Sequence, residues 1–395
     1  MNNAQLALLF VCGFLLSRLL VKVRVPEHLV GLLFHRKLSV ARIILYLVAL
    51  SALLSVFIPN AVTAIALLPV VMLIRQKLLE QELGNHSAIS TALALAVIYG
   101  ANIGGMASIT ATPANGLLVA YAALRHVADP GVLRFDGWLL WGIPLTITLV
   151  VLAGGILVAC LPGVHWSAKS QALNGLTPAD PNDLGVANRM TLAFVVASVV
   201  LSAAMHASSD SPWVLALTVV GFVIYTWLLF GRRNPTALLT WNDCFKGLPW
   251  RGLAIAAIIV VLAALGGLFG AIEHGARIAT SVLPDSLDTI EAFAWVALLT
   301  TFTTQLMTNT VVQLALFETL HAHPDTGDVL IHLLLVVTLS STCAFMTPIA
   351  TGVNGLVYGE LEGTSLWRML LVGAVMNVVA ALLIAACVFF VVAGA

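Results

Sequence analysis

The long apolar runs of this chain are interrupted twice, in the same order and by the same kinds of residue. The first set is Phe57-Ile-Pro-Asn-Ala-Val-Thr63, then Tyr99-Gly-Ala-Asn-Ile-Gly-Gly105, then Ala111-Thr-Pro-Ala-Asn115. The second is Met307-Thr-Asn-Thr-Val311, then Phe345-Met-Thr-Pro-Ile-Ala-Thr-Gly-Val-Asn354. Hydrocarbon offers no partner to a loose backbone N–H or C=O. Irregular chain at membrane depth therefore persists only where protein encloses it or where it lines a cavity. A matched pair of such interruptions, one in each half, points to a binding site at a repeat interface.

That argument needs a membrane, and composition supplies one. Of the 395 residues, 60% are hydrophobic and 9% charged, with a mean hydropathy of +1.03. Soluble domains carry about 25% charged residues. The formal net charge is zero, and no basic stretch interleaved with aromatics suggests a nucleic-acid partner. Cys12, Cys160, Cys244, Cys343 and Cys387 are scattered, without the spacing of a zinc site or a disulfide framework. The first apolar run, Gln5 to Leu20, is followed by its positive charges (Arg18, Lys22, Arg24) and reads as a retained helix, not a cleaved leader.

In chain order, residues 1–40 read as one span followed by an interfacial helix. Residues 41–161 form a first repeat. It contains a re-entrant hairpin at 41–76, turning at Pro59-Asn60, a helix at 88–126 broken in its middle, and a span at 138–161. Each hairpin limb is expected to be short for a full crossing. The polar stretch 162–189 reads as a cytoplasmic linker. Residues 190–288 carry scaffold spans at 190–208, 212–230 and 252–270. Residues 289–395 repeat the pattern, with a hairpin at 289–321 tipped by Thr308-Asn309-Thr310, a broken helix at 328–360 and a last span. The expected fold is an all-α polytopic membrane protein with an inverted repeat, two re-entrant hairpins and two discontinuous helices. With eight spans and two hairpins, fifteen of the 18 basic residues fall on one side, leaving Arg125, Arg134 and Arg277 on the other. The first side is then cytoplasmic, and both termini lie outside.

Hairpin tips and helix breaks meeting at the midplane would form one site. Helix N-termini present free N–H groups to an anion, and free carbonyls can hold a cation. Asn60, Thr112, Thr308, Asn309, Thr310 and Thr351 add neutral amides and hydroxyls. Gln305 and Gln313 flank the second tip and are expected to satisfy hairpin backbone. No carboxylate lies within a span and no buried His is expected, which favours Na+ over a proton relay as coupling ion. No acid–base pair, activated nucleophile or metal cluster suggests an enzyme.

At these residues the sequence resembles the divalent anion:sodium symporter family. The resemblance rests on Asn60 to Pro69, Ala101-Asn-Ile-Gly-Gly105, Ala111-Thr-Pro-Ala-Asn115, Thr308-Asn-Thr310 and Phe345 through Asn354. It implies an elevator-type transporter, usually a homodimer in the plasma (bacterial inner) membrane, that moves C4-dicarboxylates, citrate or sulfate with Na+. It further implies that Asn60, Thr63, Thr112, Pro113, Thr308, Asn309, Thr310 and Thr351 contact the substrate. Two Na+ would be held by Asn60, Asn309 and the carbonyls near Ala111 and Ala350. Pro59 and Ala61 depart from the family's Ser-Asn-Thr at the first tip and remove hydroxyls from the first Na+ site and the substrate pocket. A Na+-independent anion exchanger or oxyanion effluxer is the nearest rival. A non-transporting membrane scaffold or sensor is the third.

Overall fold

The computed structural model describes residues 3–25, 28, 37–56, 60–109, 111–128, 132–133, 135–170, 180–207, 212–231, 238–246, 254, 261, 283–284, 286–324 and 326–394. Pro59, Thr110, Arg134, Arg277, nearly all of the expected span 252–270 and much of the expected interfacial helix lie outside the described residues. Among the described residues the chain is all-α, with no β-strand. Five of the described helices are long and apolar enough to cross a membrane. The protein is an all-α polytopic membrane protein.

The first half holds α1 (Asn3–Lys22), α2 (Val40–Ser55), α3 (Asn60–Glu80), α4 (His86–Gly104), α5 (Pro113–Leu124) and α6 (Phe135–Cys160). Then come α7 (Pro181–Ala207), α8 (Pro212–Phe230) and the short α9 (Trp241–Phe245). The second half holds α10 (Ile290–Thr303), α11 (Asn309–Ala322), α12 (Leu330–Ser341), α13 (Gly352–Glu360) and α14 (Leu366–Cys387). Packing repeats between the halves. Helix α2 lies against α4 and α6, as α10 lies against α12 and α14. The halves also interlock, since α3 packs on α13 and α11 packs on α5.

Three expectations are corrected. The limb after the first tip is not short: α3 runs for 21 residues, because its polar last turns find partners. Arg75 Nε donates to Ser90 Oγ at 2.7 Å, and its Nη2 donates to the Glu362 carbonyl at 2.9 Å. Helix α7 starts at Pro181, inside the stretch expected to be a loop. Asp180 begins it, accepting the Asn182 N–H at 2.8 Å on its side chain and the Leu184 N–H at 2.9 Å on its carbonyl, with Pro181 in the first helical position. A buried histidine is also present. His332 is 7% exposed because α12 is enclosed on every side, with all of Ile331 to Ser341 buried.

Close backbone packing sets where the tips and breaks fall. Gly100 and Gly104 lie one turn apart on α4 and face α2. A Cβ on Gly104 would overlap the Ala52 carbonyl and stand 2.7 Å from the Ala52 Cα. Only hydrogen at both positions lets α4 approach α2 this closely, and that approach brings Ser55 and Asn60 beside the end of α4. A smaller core gathers Leu16, Leu19, Ala187, Phe194 and Leu229 of α1, α7 and α8, with Val62 of α3 joining them to the rest.

At the end of that smaller core, α1 is fastened to α9. The buried Arg18 donates to the Asp243 carbonyl at 3.1 Å and to the Lys246 carbonyl, and Lys22 Nζ meets Asp243 Oδ2 at 2.8 Å. Partial burial pushes the Asp243 carboxyl up. Hydrogen bonds from Lys22 and from the hydroxyl and N–H of Thr240 outweigh it and hold the group at about 2.

Two predictions come from this packing. Gly104→Ala must push α4 off α2, at a cost on the order of 1–3 kcal/mol, and lowers the thermal midpoint in detergent. Gly155→Ala, with open space around it, leaves the midpoint unchanged or raises it. The Asp243 pKa is depressed, so its hold on α9 is complete above the ordinary Asp value of about 3.9 and is lost as pH falls toward about 2. Hydrogen exchange over 240–246 is slower in the wild type than in Asp243→Asn at pH 6, and the two converge as pH approaches 2.

Candidate functional site

Each helix break is closed by the same device. In the first half, Thr112 caps α5 by accepting the Asn115 N–H at 3.3 Å on its hydroxyl. Asn115 then reaches back with its amide, donating to the carbonyls of Gly105 at 3.0 Å and Ser108 at 2.9 Å, ten and seven residues earlier. In the second half, Thr351 caps α13 by accepting the Asn354 N–H at 3.2 Å. Asn354 donates to the carbonyls of Ala344 at 2.7 Å and Thr347 at 2.8 Å, again ten and seven residues earlier. Both asparagines are fully buried. The carbonyls left loose where α4 and α12 stop are thus bound by side chains, and the unwound chain has a fixed shape.

The first tip meets its own break. Asn60, the first residue of α3, accepts the Ser55 hydroxyl at 2.7 Å on Oδ1. Its amide lies against Gly105 and Thr112: a Cβ on Gly105 would stand 2.9 Å from Asn60 Oδ1 and overlap the Thr112 methyl. The second tip meets its break through Gln305. Its amide donates to the carbonyls of Thr301 at 2.8 Å and Cys343 at 3.1 Å, and its Oε1 accepts the Met346 N–H at 3.1 Å. The Thr347 hydroxyl donates back to the Gln305 carbonyl at 2.9 Å. Gln305 does satisfy hairpin backbone, and it also ties the tip to the break.

The halves are joined across this centre. Asn60 Nδ2 donates to Asn102 Oδ1 at 3.4 Å, and Asn102 Nδ2 donates to Asn354 Oδ1 and to the Ala344 carbonyl, both at 3.3 Å. From the other side, Gln313 in α11 donates to the Ala114 carbonyl at the start of α5 and to Thr338 Oγ1, both at 2.9 Å. Among the described helices, α3, α5, α11 and α13 therefore begin at one centre, where α2, α4, α10 and α12 end. The beginnings offer N–H groups and the endings offer carbonyls. Helices α3, α5, α11 and α13 carry no charged residue in their first turns.

Of the residues expected from sequence, Asn60, Ala111 and Thr112 sit at the first tip and break, and Ala350 and Thr351 at the second break. Ala111, Thr112 and Ala350 are buried, and Pro113 is exposed at the first helical position of α5. Thr308 caps α11 in position, though without a side-chain hydrogen bond, and Thr310 is exposed. Of these residues, Asn309 at the start of α11 has an unpartnered Oδ1, and Thr63, itself fully buried in the first turn of α3, has an unpartnered hydroxyl; Asn115 Oδ1 and Gln313 Oε1 beside them are unpartnered too. Orphaned neutral oxygens of this kind suit a hard cation such as Na+. Among the described residues no three His, Cys, Asp or Glu side chains gather as a metal site. Sequence reasoning placed Asn102 in the first break without its crossing to the second, gave Gln313 only a backbone role, and missed Ser55 as part of the centre and Asn115 and Asn354 as carbonyl ties. The recurring Thr-x-x-Asn was the visible signal for the last two.

Comparison with known proteins finds transporters. The chain is 25% identical over 357 residues to an uncharacterized transporter of Haemophilus influenzae, covering 87% of this chain and 71% of the relative. It is 25% identical over 376 residues to the sodium-dependent high-affinity dicarboxylate transporter 3 of Caenorhabditis elegans, covering 80% of this chain and 62% of that longer protein. It is 23% identical over 410 residues to the sodium-dependent dicarboxylate transporter SdcS of Staphylococcus saprophyticus, covering 97% of this chain and 76% of the relative. A model of the citrate transporter family matches residues 3–329. The chain is a membrane transporter and belongs to the citrate transporter family.

Proposed function

We propose that the protein is a Na+-coupled symporter of a small dianion, a C4-dicarboxylate, citrate or sulfate. The observation that carries this is the meeting of four helix beginnings and four helix endings at a centre built from neutral groups. N–H groups at the starts of α5 and α13, with Thr112, Pro113 and Thr351, take the anion's oxygens. The tip residues Thr308, Asn309 and Thr310, with Asn60 and Thr63, complete its surroundings. Two Na+ sit against carbonyls, one between Asn60 and Ala111, the other between Asn309 and Ala350. The family and the sodium-dependent dicarboxylate transporters among the relatives support the choice of cargo. The buried His332 does not change the coupling ion, because it lies in the first turn of α12, at the end away from the break. We further infer a homodimer in the plasma (inner) membrane with both termini outside. The interlocked hairpins and broken helices move as one body in an elevator motion.

The thermal stability of purified protein tests this with succinate, citrate and sulfate, each in NaCl or KCl. A ligand at a hundred times its Kd, bound only by the folded state, stabilises by about 2.7 kcal/mol. The expected result is a rise in midpoint that needs both a dianion and Na+. A rise with the anion in either salt would make the protein an exchanger, and no rise with any pair would remove this cargo. In the same assay Asn309→Ala keeps its unliganded midpoint within a few degrees and loses both the ligand-induced rise and transport. Uptake by Asn309→Ala at the wild-type rate would refute the placement of the second tip.

A further inference from the structure

Asn102 does something that the repeat does not require. It lies in the last turn of α4, 2% exposed, and one side chain touches both halves. Its Oδ1 accepts from Asn60 of the first tip, and its Nδ2 donates to Asn354 and to Ala344 of the second break. In the second half, the residue at the same distance before the break is Ser341. Its hydroxyl donates to the Thr338 carbonyl of its own helix at 2.8 Å and makes no crossing. The helix end is therefore formed equally well without an amide at this place. The Asn102 crossing is an addition to the fold and not a condition of it.

We propose that Asn102 is a positioning residue that couples cation binding at the first tip to anion binding at the second break. The coupling rests on the symport reading above. The polar chain runs in one direction: Ser55 donates to Asn60, Asn60 to Asn102, and Asn102 to Asn354. Asn354 Oδ1 also accepts the Thr351 hydroxyl at 2.8 Å. A cation on Asn60 Oδ1 displaces or shares the Ser55 hydroxyl and draws density from the amide. The Asn60 N–H becomes a stronger donor, and Asn102 passes the polarisation on, as hydrogen bonds in a low-dielectric chain do. The same cation fixes the Asn60 side chain and hence the orientation of the Asn102 amide. Through Asn354 that orientation sets Thr351 and the N–H groups at the start of α13, which the anion needs. The cation at the first tip and the part of the anion site at the start of α13 thus respond to each other, beyond what their shared Asn60 gives directly.

Coupling of this kind is reciprocal and measurable as a change in affinity. Succinate, citrate and sulfate are each titrated into purified protein at low and at saturating NaCl, with KCl holding ionic strength constant. In the wild type, saturating Na+ tightens dianion binding by about tenfold or more, within the usual range of such couplings. Asn102→Ser copies the residue that the second half already uses at this position. It keeps the fold, seen in its unliganded thermal midpoint, and the ratio of dianion affinities at saturating and low Na+ shrinks to about threefold or less. Asn102→Asp keeps the acceptor toward Asn60 but loses the donors toward Asn354 and Ala344, and it uncouples likewise. Ser341→Ala serves as a control, with full coupling retained. Full coupling in both Asn102 variants overturns the inference and leaves the symporter standing. A wild type whose dianion affinity ignores Na+ overturns the symport reading itself, and the inference with it.

Discussion

Everything in this protein depends on binding the loose backbone of two helix breaks inside an apolar body. A helix that stops there leaves carbonyls without partners, and neither lipid nor distant water can satisfy them. Asn115 and Asn354 solve the problem in the same way. Each caps with its Thr and then reaches back ten and seven residues to hold two carbonyls. That geometry fixes the described residues of both breaks with neutral side chains. At the starts of α5 and α13 each Thr takes the Asn N–H on its hydroxyl and the next Gly N–H on its carbonyl, so the N–H groups ahead of these are the ones left for a ligand. Stability and binding capacity come from the same few bonds.

The interlocking of the halves follows from where those breaks lie. Helix α3 packs on α13, and α11 on α5, so each hairpin borrows the short helix of the opposite half. The far ends are fastened as well. Arg75 of α3 reaches the Glu362 carbonyl just past α13, while Arg125 at the end of α5 holds Glu318 of α11 with both oxygens at 2.6 and 2.7 Å. The latter pair is exposed and contributes little to stability on its own. Its placement still matters, because it closes a rectangle of contacts whose opposite corner is Gln313 on Ala114. A hairpin held at both its tip and its outer end is poorly suited to swing alone. On the proposed elevator reading, the hairpins and broken helices travel together against α1, α7 and α8, whose smaller core meets them at Val62 and Leu54.

Much of this was legible in the chain, and the failures have physical causes. The interruptions announce themselves because Asn, Thr, Gly and Pro are expensive in hydrocarbon, and the helix ends at Ser55, Gly104, Thr303 and Ser341 fall at or beside them. The Thr-x-x-Asn recurrence was visible, but not that each Asn would turn back onto its own break. The crossings of Asn102 and Gln313 escaped because their partners lie 252 and 199 residues away, and no local pattern marks such a crossing. The start of α7 at Pro181 was written in Asp180-Pro181, yet a cluster of polar residues outweighed the capping signal. Helix α3 outran its expected length because the groups that keep Arg75 helical come from Ser90 and Glu362, remote in sequence. His332 was read as absent from the interior because burial of an entire helix depends on what surrounds it, not on its own periodicity.

A site without charged side chains has a further consequence for how cargo is handled. Each helix beginning carries about half a positive charge and each ending about half a negative one. Four beginnings then amount to about two positive charges, which is what a dianion requires, and four endings to about two negative ones, which is what two Na+ require. On the proposed reading the centre is balanced when empty and balanced again when fully loaded. A dianion alone, or two cations alone, would leave about two uncompensated charges in a low-dielectric interior, where charge is costly to bury. Lys or Arg in the pocket would relieve that cost and let the anion move by itself. On the same proposed reading, the neutral first turns of α3, α5, α11 and α13 leave the movement of one species conditional on the others. Obligatory coupling, on this view, is a property of the neutral lining, and the Asn102 bridge acts to keep the two halves of the balance in step.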